Sequence, residues 1–215
     1  MNDIKQWAIK TIDTEAKAID RLISFVDNDF ERTVEAIFRS KGRLIATGVG
    51  KSAIIAQKIV ATLNSTGTHA IFMHAADAIH GDLGIITPDD LILCLSKSGN
   101  TPEIKVLVPL IRSMGNKIIS LVSTPKSYLE EQADYKLKAY VDAEACPNNL
   151  APTSSTTAHL VLGDALAICL LKLRGFSSED FARVHPGGSL GKKLYLRVAD
   201  VIGKEKPVVG KDTNL

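Results

Sequence analysis

The stretch that most restricts the fold runs from Leu91 to Ile111. Leu91-Ile92-Leu93-Cys94-Leu95 is a continuous apolar run of strand length, and it enters a polar turn, Ser96-Lys97-Ser98-Gly99-Asn100-Thr101-Pro102-Glu103. Glu103 to Ile111 then carries the periodicity of a helix. A buried strand, a tight polar turn and a helix follow one another without a gap. Such a junction points backbone N–H groups and the positive end of a helix at whatever sits in the turn, which suits a phosphate. The same hydroxyls also make an ordinary helix cap, so the turn alone leaves both readings open.

The unit recurs. Residues 2–26 read as a long amphipathic helix, with Ile4, Ala8, Ile12, Ala16, Ile19, Ile23 and Val26 at steps of three or four. Asp27-Asn28-Asp29 offers caps for a second helix bearing Phe30, Val34, Ile37 and Phe38. These two helices are expected to pack on the core or on another subunit. Strands are expected at Arg43–Thr47, Ala70–Met73, Leu91–Leu95, Lys117–Val122 and Tyr135–Val141. Helices are expected after Ala53, bearing Ile54, Ile55, Ile59 and Leu63, from His74 to His80, over Ser127–Gln132 and over Thr156–Leu173, with one more turn at Ser177–Phe181. Strands alternating with helices imply a parallel sheet covered on both faces, an α/β chain. Ligands in such sheets bind beyond the carboxyl ends of the strands, so the loops after the first, third and fifth strands are expected to converge.

A chain of 215 residues can bury one sizeable core. Its net charge of +2, with no basic block, gives a nucleic-acid partner no electrostatic footprint. Met1-Asn2-Asp3-Ile4-Lys5 lacks the apolar core of a signal peptide, and no apolar run approaches a membrane span. Cys94, Cys146 and Cys169 are scattered, and read as reduced packing thiols of a cytoplasmic protein. The chain turns polar from about Asp200.

Gly48-Val49-Gly50-Lys51-Ser52 closes the first strand. A P-loop would need a glycine at Ile45. The dinucleotide spacing is met by Gly48, Gly50 and Ala53, yet no acidic residue ends the second strand to hold a ribose. A third reading keeps the glycines for a tight backbone turn and gives Lys51 and Ser52 to a ligand such as a sugar phosphate. By themselves His80 beside Gly81 and His185 before Pro186-Gly187-Gly188 are more readily structural than functional, and His69, His74 and His159 read as structural. No set of His, Cys, Asp and Glu has zinc-ligand spacing, so neither a metal nor another cofactor is expected. Glu144 follows the fifth strand at the ligand-binding edge, and Glu103 opens the helix after the hydroxyl turn. A hydroxyl cradle, a lysine, carboxylates and histidines suit proton transfer next to a carbonyl, as in aldose–ketose interconversion of a sugar phosphate.

The chain resembles the sugar isomerase (SIS) domain family, and within it the D-arabinose 5-phosphate isomerases. The residues that carry the resemblance are Gly48–Ser52, His80-Gly81-Asp82-Leu83-Gly84, Ser96–Glu103, Glu144-Ala145-Cys146-Pro147, Leu150–Thr157 and His185-Pro186-Gly187-Gly188. It implies a three-layer α/β/α sandwich with a five-stranded parallel sheet over residues 1–203, a polar tail over 204–215, and a homotetramer. It also implies interconversion of D-ribulose 5-phosphate and D-arabinose 5-phosphate on the way to the Kdo sugar of lipopolysaccharide. The phosphate site maps onto Gly50, Ser52, Ser96, Lys97, Ser98 and Thr101, and the catalytic set onto Lys51, Glu103, Glu144 and His185, with His80 nearby. Glu144, on a loop of its own, is expected to be the base at C1 and C2, with Glu103 behind it. Most relatives continue into a pair of CBS domains, and Leu215 falls where the first would start, so the chain is expected to be either a natural short form or a truncated piece of a longer one. Inhibition by CMP-Kdo at the same site follows from pathway logic and charge. The competing readings are an isomerase of another sugar phosphate and a non-catalytic sugar-phosphate sensor.

Overall fold

The computed structural model describes residues 3–188 and 191–192. The chain divides into two compact units, Met1–Phe176 and Ser177–Leu215, so the expected boundary at 203 and the tail beyond it lie outside the described residues.

Five strands build the first unit: β1 (Leu44–Gly48), β2 (Ala70–His74), β3 (Leu91–Ser96), β4 (Lys117–Val122) and β5 (Tyr135–Lys138). All pair in parallel, in the order β2-β1-β3-β4-β5. The helices are α1 (Ile4–Leu22), α2 (Asn28–Arg39), α3 (Lys51–Ser65), α4 (Ala75–Ala78), α5 (Pro102–Ser113), α6 (Tyr128–Gln132) and α7 (Ser154–Arg174). Side chains of a strand alternate between faces, and the core divides accordingly. Leu44, Ala46, Leu93, Leu95, Ile119 and Leu121 pack with residues of α2, α3 and α7. Ile45, Ile92, Cys94, Ile118 and Val122 pack with residues of α4, α5 and α6. This is the expected three-layer sandwich. Strand order reverses between β1 and β3, and the crevice at that reversal is where open parallel sheets bind ligands.

Several local expectations change. β5 ends at Lys138 rather than Val141, because Lys138 pairs with Val122, the last residue of β4. Helix α3 turns Ala53 and Ala56 inward, leaving Ile54 63% exposed. Helix α7 is 21 residues long and apolar enough to cross a membrane by length and composition, contrary to the expectation from the sequence. Its buried residues, Leu162, Leu166 and Leu170 among them, instead lie in the core beside α2 and α3. In α1 only Leu22 is buried, while Ile4, Trp7 and Ile12 stand 59%, 64% and 69% exposed.

Two polar clamps fix the sheet, one at the start of its inner strands β1 and β3 and one at its edge strand β5. At the start of β1 and β3, Arg43 donates from its backbone N–H, Nε and Nη2 to the buried carboxylate of Asp90, which also accepts from Thr87 N–H. At β5, Lys138 Nζ donates to Asp27 and Asp29 at the start of α2, and Asp27 also caps that helix through Asp29 and Phe30 N–H.

The second unit contains α8 (Ser178–Val184), opened by a capping box between Ser177 and Asp180.

Candidate active site

The loops after β1 and β3 meet at the crevice. Val49, Ser52, Leu95, Ser96, Lys97, Ser98 and Thr101 line a concavity of about 220 Å³. Gly50 makes the first wall possible, since its φ of +56° and ψ of −126° suit only glycine. That turn ends β1 and starts α3 at Lys51, which is exposed, with Ser52 half-buried behind it.

The second wall is the Ser96–Thr101 turn. Ser96 is buried, and its Oγ accepts from Gly99 N–H. Ser98 Oγ accepts from Asn100 N–H. Thr101 Oγ1 is shielded from solvent and has no hydrogen-bond partner among the described residues. A hydroxyl left unpaired where a pocket opens is suited to a ligand oxygen, because an unmet buried polar group is costly. Gly99 adopts φ +62°, and a Cβ there would fall 2.2 Å from Ser127 Oγ. Gly99→Ala is therefore expected to destabilise the chain by about 1–3 kcal/mol through strain and overlap, read as a lower urea midpoint together with loss of sugar-phosphate binding.

The third loop arrives through Glu144. Its side chain is 1% exposed and accepts from five donors: Lys97 Nζ, Thr153 N–H and Oγ1–H, and Ser155 N–H and Oγ–H. Burial pushes this carboxyl up, but the Lys97 ammonium, the Ser155 hydroxyl and the two backbone N–H groups outweigh it and hold the pKa at about 2. The convergence of loops after β1, β3 and β5 is thus as expected, and Glu144 arrives with its oxygens already committed to these donors. A carboxylate whose lone pairs are filled, and whose protonation is so unfavourable, makes a poor proton acceptor. It caps the N-terminus of α7, where Thr153 supplies no side-chain cap of its own.

Lys97 lines the concavity, yet its ammonium already faces Glu144 at 2.8 Å. Glu103 is half-buried in the first turn of α5 and has no hydrogen-bond or ion-pair partner among the described residues. His80 is exposed and does not line the concavity. His185 belongs to the second unit, stacked on Phe181 at 3.8 Å between ring centroids, with Nδ1 2.9 Å from Phe181 O.

Sequence reasoning missed Thr153 and Ser155 as partners of Glu144, although both lie in the Leu150–Thr157 segment that carried the resemblance. Among the described residues, no group of three or more His, Cys, Asp or Glu side chains could hold a metal ion.

The SIS domain model matches residues 37–169, which spans both sheet faces and all three loops. The chain belongs to the SIS domain family. It is 51% identical over 215 residues to arabinose 5-phosphate isomerase KdsD of Pseudomonas aeruginosa and 47% identical to that of Yersinia pestis. In both cases 99% of this chain is covered, and the chain spans 66% of the relative's length. Among solved structures, a protein of E. coli CFT073 in complex with arabinose 5-phosphate superposes with a TM-score of 0.83 at 37% identity, covering 86% of this SIS chain and 100% of that one.

Proposed function

We propose that this chain is an aldose–ketose isomerase that interconverts D-ribulose 5-phosphate and D-arabinose 5-phosphate. One observation carries the reading: the hydroxyls of Ser52, Ser96, Ser98 and Thr101 line one concavity at the reversal of strand order. The likeness to the E. coli protein in complex with arabinose 5-phosphate supports the choice of a pentose phosphate. The phosphate sits against these hydroxyls and the N–H groups of the two turns, where neutral donors and the helix end favour an anion.

Isomerisation then needs a group that takes a proton from one of C1 and C2 and returns it to the other. Glu103 is the better candidate, because its carboxylate is uncommitted whereas that of Glu144 is filled. Glu103 removes the proton, the carbonyl oxygen takes up charge as the enediolate forms, and Lys51 at the start of α3 balances that charge. The hydroxyl proton passes from the neighbouring oxygen to the old carbonyl oxygen, and reprotonation at the carbon that carried the old carbonyl then leaves the new carbonyl next to it and restores the carboxylate.

The assay is direct. Ribulose 5-phosphate offered to the purified chain should yield arabinose 5-phosphate, and hexose phosphates should react far more slowly. Binding of the pentose phosphate without turnover would point instead to a sensor. Ser98→Ala should raise KM about 5- to 30-fold, the effect of one hydrogen bond to a charged group; unchanged kinetics would remove Ser98 from the site.

The exposed apolar residues of α1, Ile4, Trp7 and Ile12, support assembly into a homo-oligomer, and we read it as a tetramer. Light scattering should give a mass near four chains at micromolar concentration; an active monomer would refute this. Cytoplasmic supply of Kdo synthesis is the role that fits the reaction. CMP-Kdo, with its anionic groups, is expected to compete for the hydroxyl cradle, and calorimetry at millimolar ligand tests that.

A further inference from the structure

Behind the concavity lies a ring built from polar contacts and one turn of α7 that the reaction itself does not use. Lys97 Nζ donates to Glu144. Glu144 accepts from Ser155 at the start of α7. Four residues on, and so on the same face of that helix, His159 is 1% exposed and shares a hydrogen bond of 2.9 Å between Nε2 and Ser123 Oγ. Ser123, just past β4, closes the ring: its backbone N–H donates to Lys97 O at 3.1 Å. Lys97 is therefore held at both ends, its carbonyl through Ser123 and its ammonium through Glu144. It stands between Ser96 and Ser98, two of the hydroxyls that face the concavity.

We propose that His159 is a positioning residue, which through Ser123 holds the Ser96–Thr101 turn in its ligand-ready shape. This rests on the assignment of that turn to sugar-phosphate binding. The chemistry fits the role. The imidazole does not line the concavity, and the Ser123 hydroxyl is its only hydrogen-bond partner among the described residues. A buried residue kept for packing alone would be served as well by leucine. A polar one is kept because Ser123, 3% exposed, would otherwise be left with an unpaired hydroxyl and freedom to shift. Fixing the turn before the ligand arrives spares the ordering cost of binding, so the ring should act on affinity more than on the proton-transfer step.

Two variants and two readouts decide it. His159→Leu keeps the volume and removes the hydrogen bond. His159→Gln keeps an amide able to donate to or accept from Ser123. In the 215-residue chain, His159→Leu should raise KM for ribulose 5-phosphate about five- to tenfold with kcat within about twofold. Hydrogen exchange of the peptide spanning the Ser96–Thr101 turn should quicken in parallel, and His159→Gln should restore both. Equal KM and equal exchange in His159→Leu and the wild type would overturn the proposal, as would a Gln variant as impaired as Leu. If the wild type fails to isomerise ribulose 5-phosphate, the functional reading fails, and the exchange measurement alone still decides the role of His159.

Discussion

Glu103→Gln is expected to lower kcat by about 100-fold or more, the usual scale for loss of a general base, with little change in thermal stability. The substitution preserves shape and hydrogen bonding but removes basicity. Glu103 has no hydrogen-bond or ion-pair partner among the described residues, so its charge serves the fold only at the N-terminus of α5, by about 0.3–1 kcal/mol. Incorporation of solvent deuterium into recovered substrate should fall in parallel, since the same proton removal begins both exchange and isomerisation. Glu144→Gln should behave differently. One of its oxygens becomes an NH₂ among groups that mostly donate, the Lys97 ammonium and the Thr153 and Ser155 N–H groups, with only the two hydroxyls able to accept. The Lys97 ammonium, 35% exposed, then loses its counter-charge while the buried N–H donors lose an acceptor, at a cost of about 1–3 kcal/mol, so this variant should unfold at lower urea. If Glu144→Gln stays stable and loses deuterium exchange while Glu103→Gln exchanges at the wild-type rate, the two roles are reversed.

The contrast between the two glutamates shows what could be read from sequence. The first four strands existed as largely apolar runs, the fifth as the alternation Tyr135-Lys136-Leu137-Lys138, and the site turns as glycines and hydroxyls. The crevice between β1 and β3 could therefore be placed once strands and helices were seen to alternate. Gly50 and Gly99 announced backbone that only glycine adopts well, and the structure gives both positive φ. Residue partners are another matter. Glu144 looked like a surface carboxylate on a ligand-facing loop, because neither its neighbours nor its spacing reveal that Thr153 and Ser155 fold back onto it. Lys97 lies 47 positions away and completes the set only through the order of strands in the sheet. His159 sat in an apolar helix with no local context at all, and its partner Ser123 is one residue beyond a strand end. Such pairings are tertiary facts, fixed by register and helix phase, and a single sequence does not encode them in any local pattern. The exposed face of α1 makes the same point from the other side. Its periodicity was legible, but whether it meets this chain's core or another surface depends on packing.

A second large effect is expected from acid. Burial holds the pKa of His159 down to about 4 from an ordinary 6.5, with the Glu144 charge opposing that shift. A histidine depressed on folding contributes stability that is complete above 6.5 and is lost as pH falls toward its folded value, because the unfolded chain binds the proton first. Between 6.5 and about 4, at about 1.4 kcal/mol per pH unit, the loss is about 3 kcal/mol. Glu144 and Asp90 act in a lower window. Both are held near 2, so their contribution is present above the ordinary carboxylate range, near 4, and disappears only as pH drops further toward 2. The interval from pH 7 to 5 therefore reports mainly on His159 among these groups. Urea unfolding across it should show stability falling by about 2 kcal/mol in the wild type. His159→Gln, which keeps the hydrogen bond to Ser123 and cannot titrate, should flatten that slope. A wild-type slope that persists unchanged in His159→Gln would assign the acid sensitivity to another group.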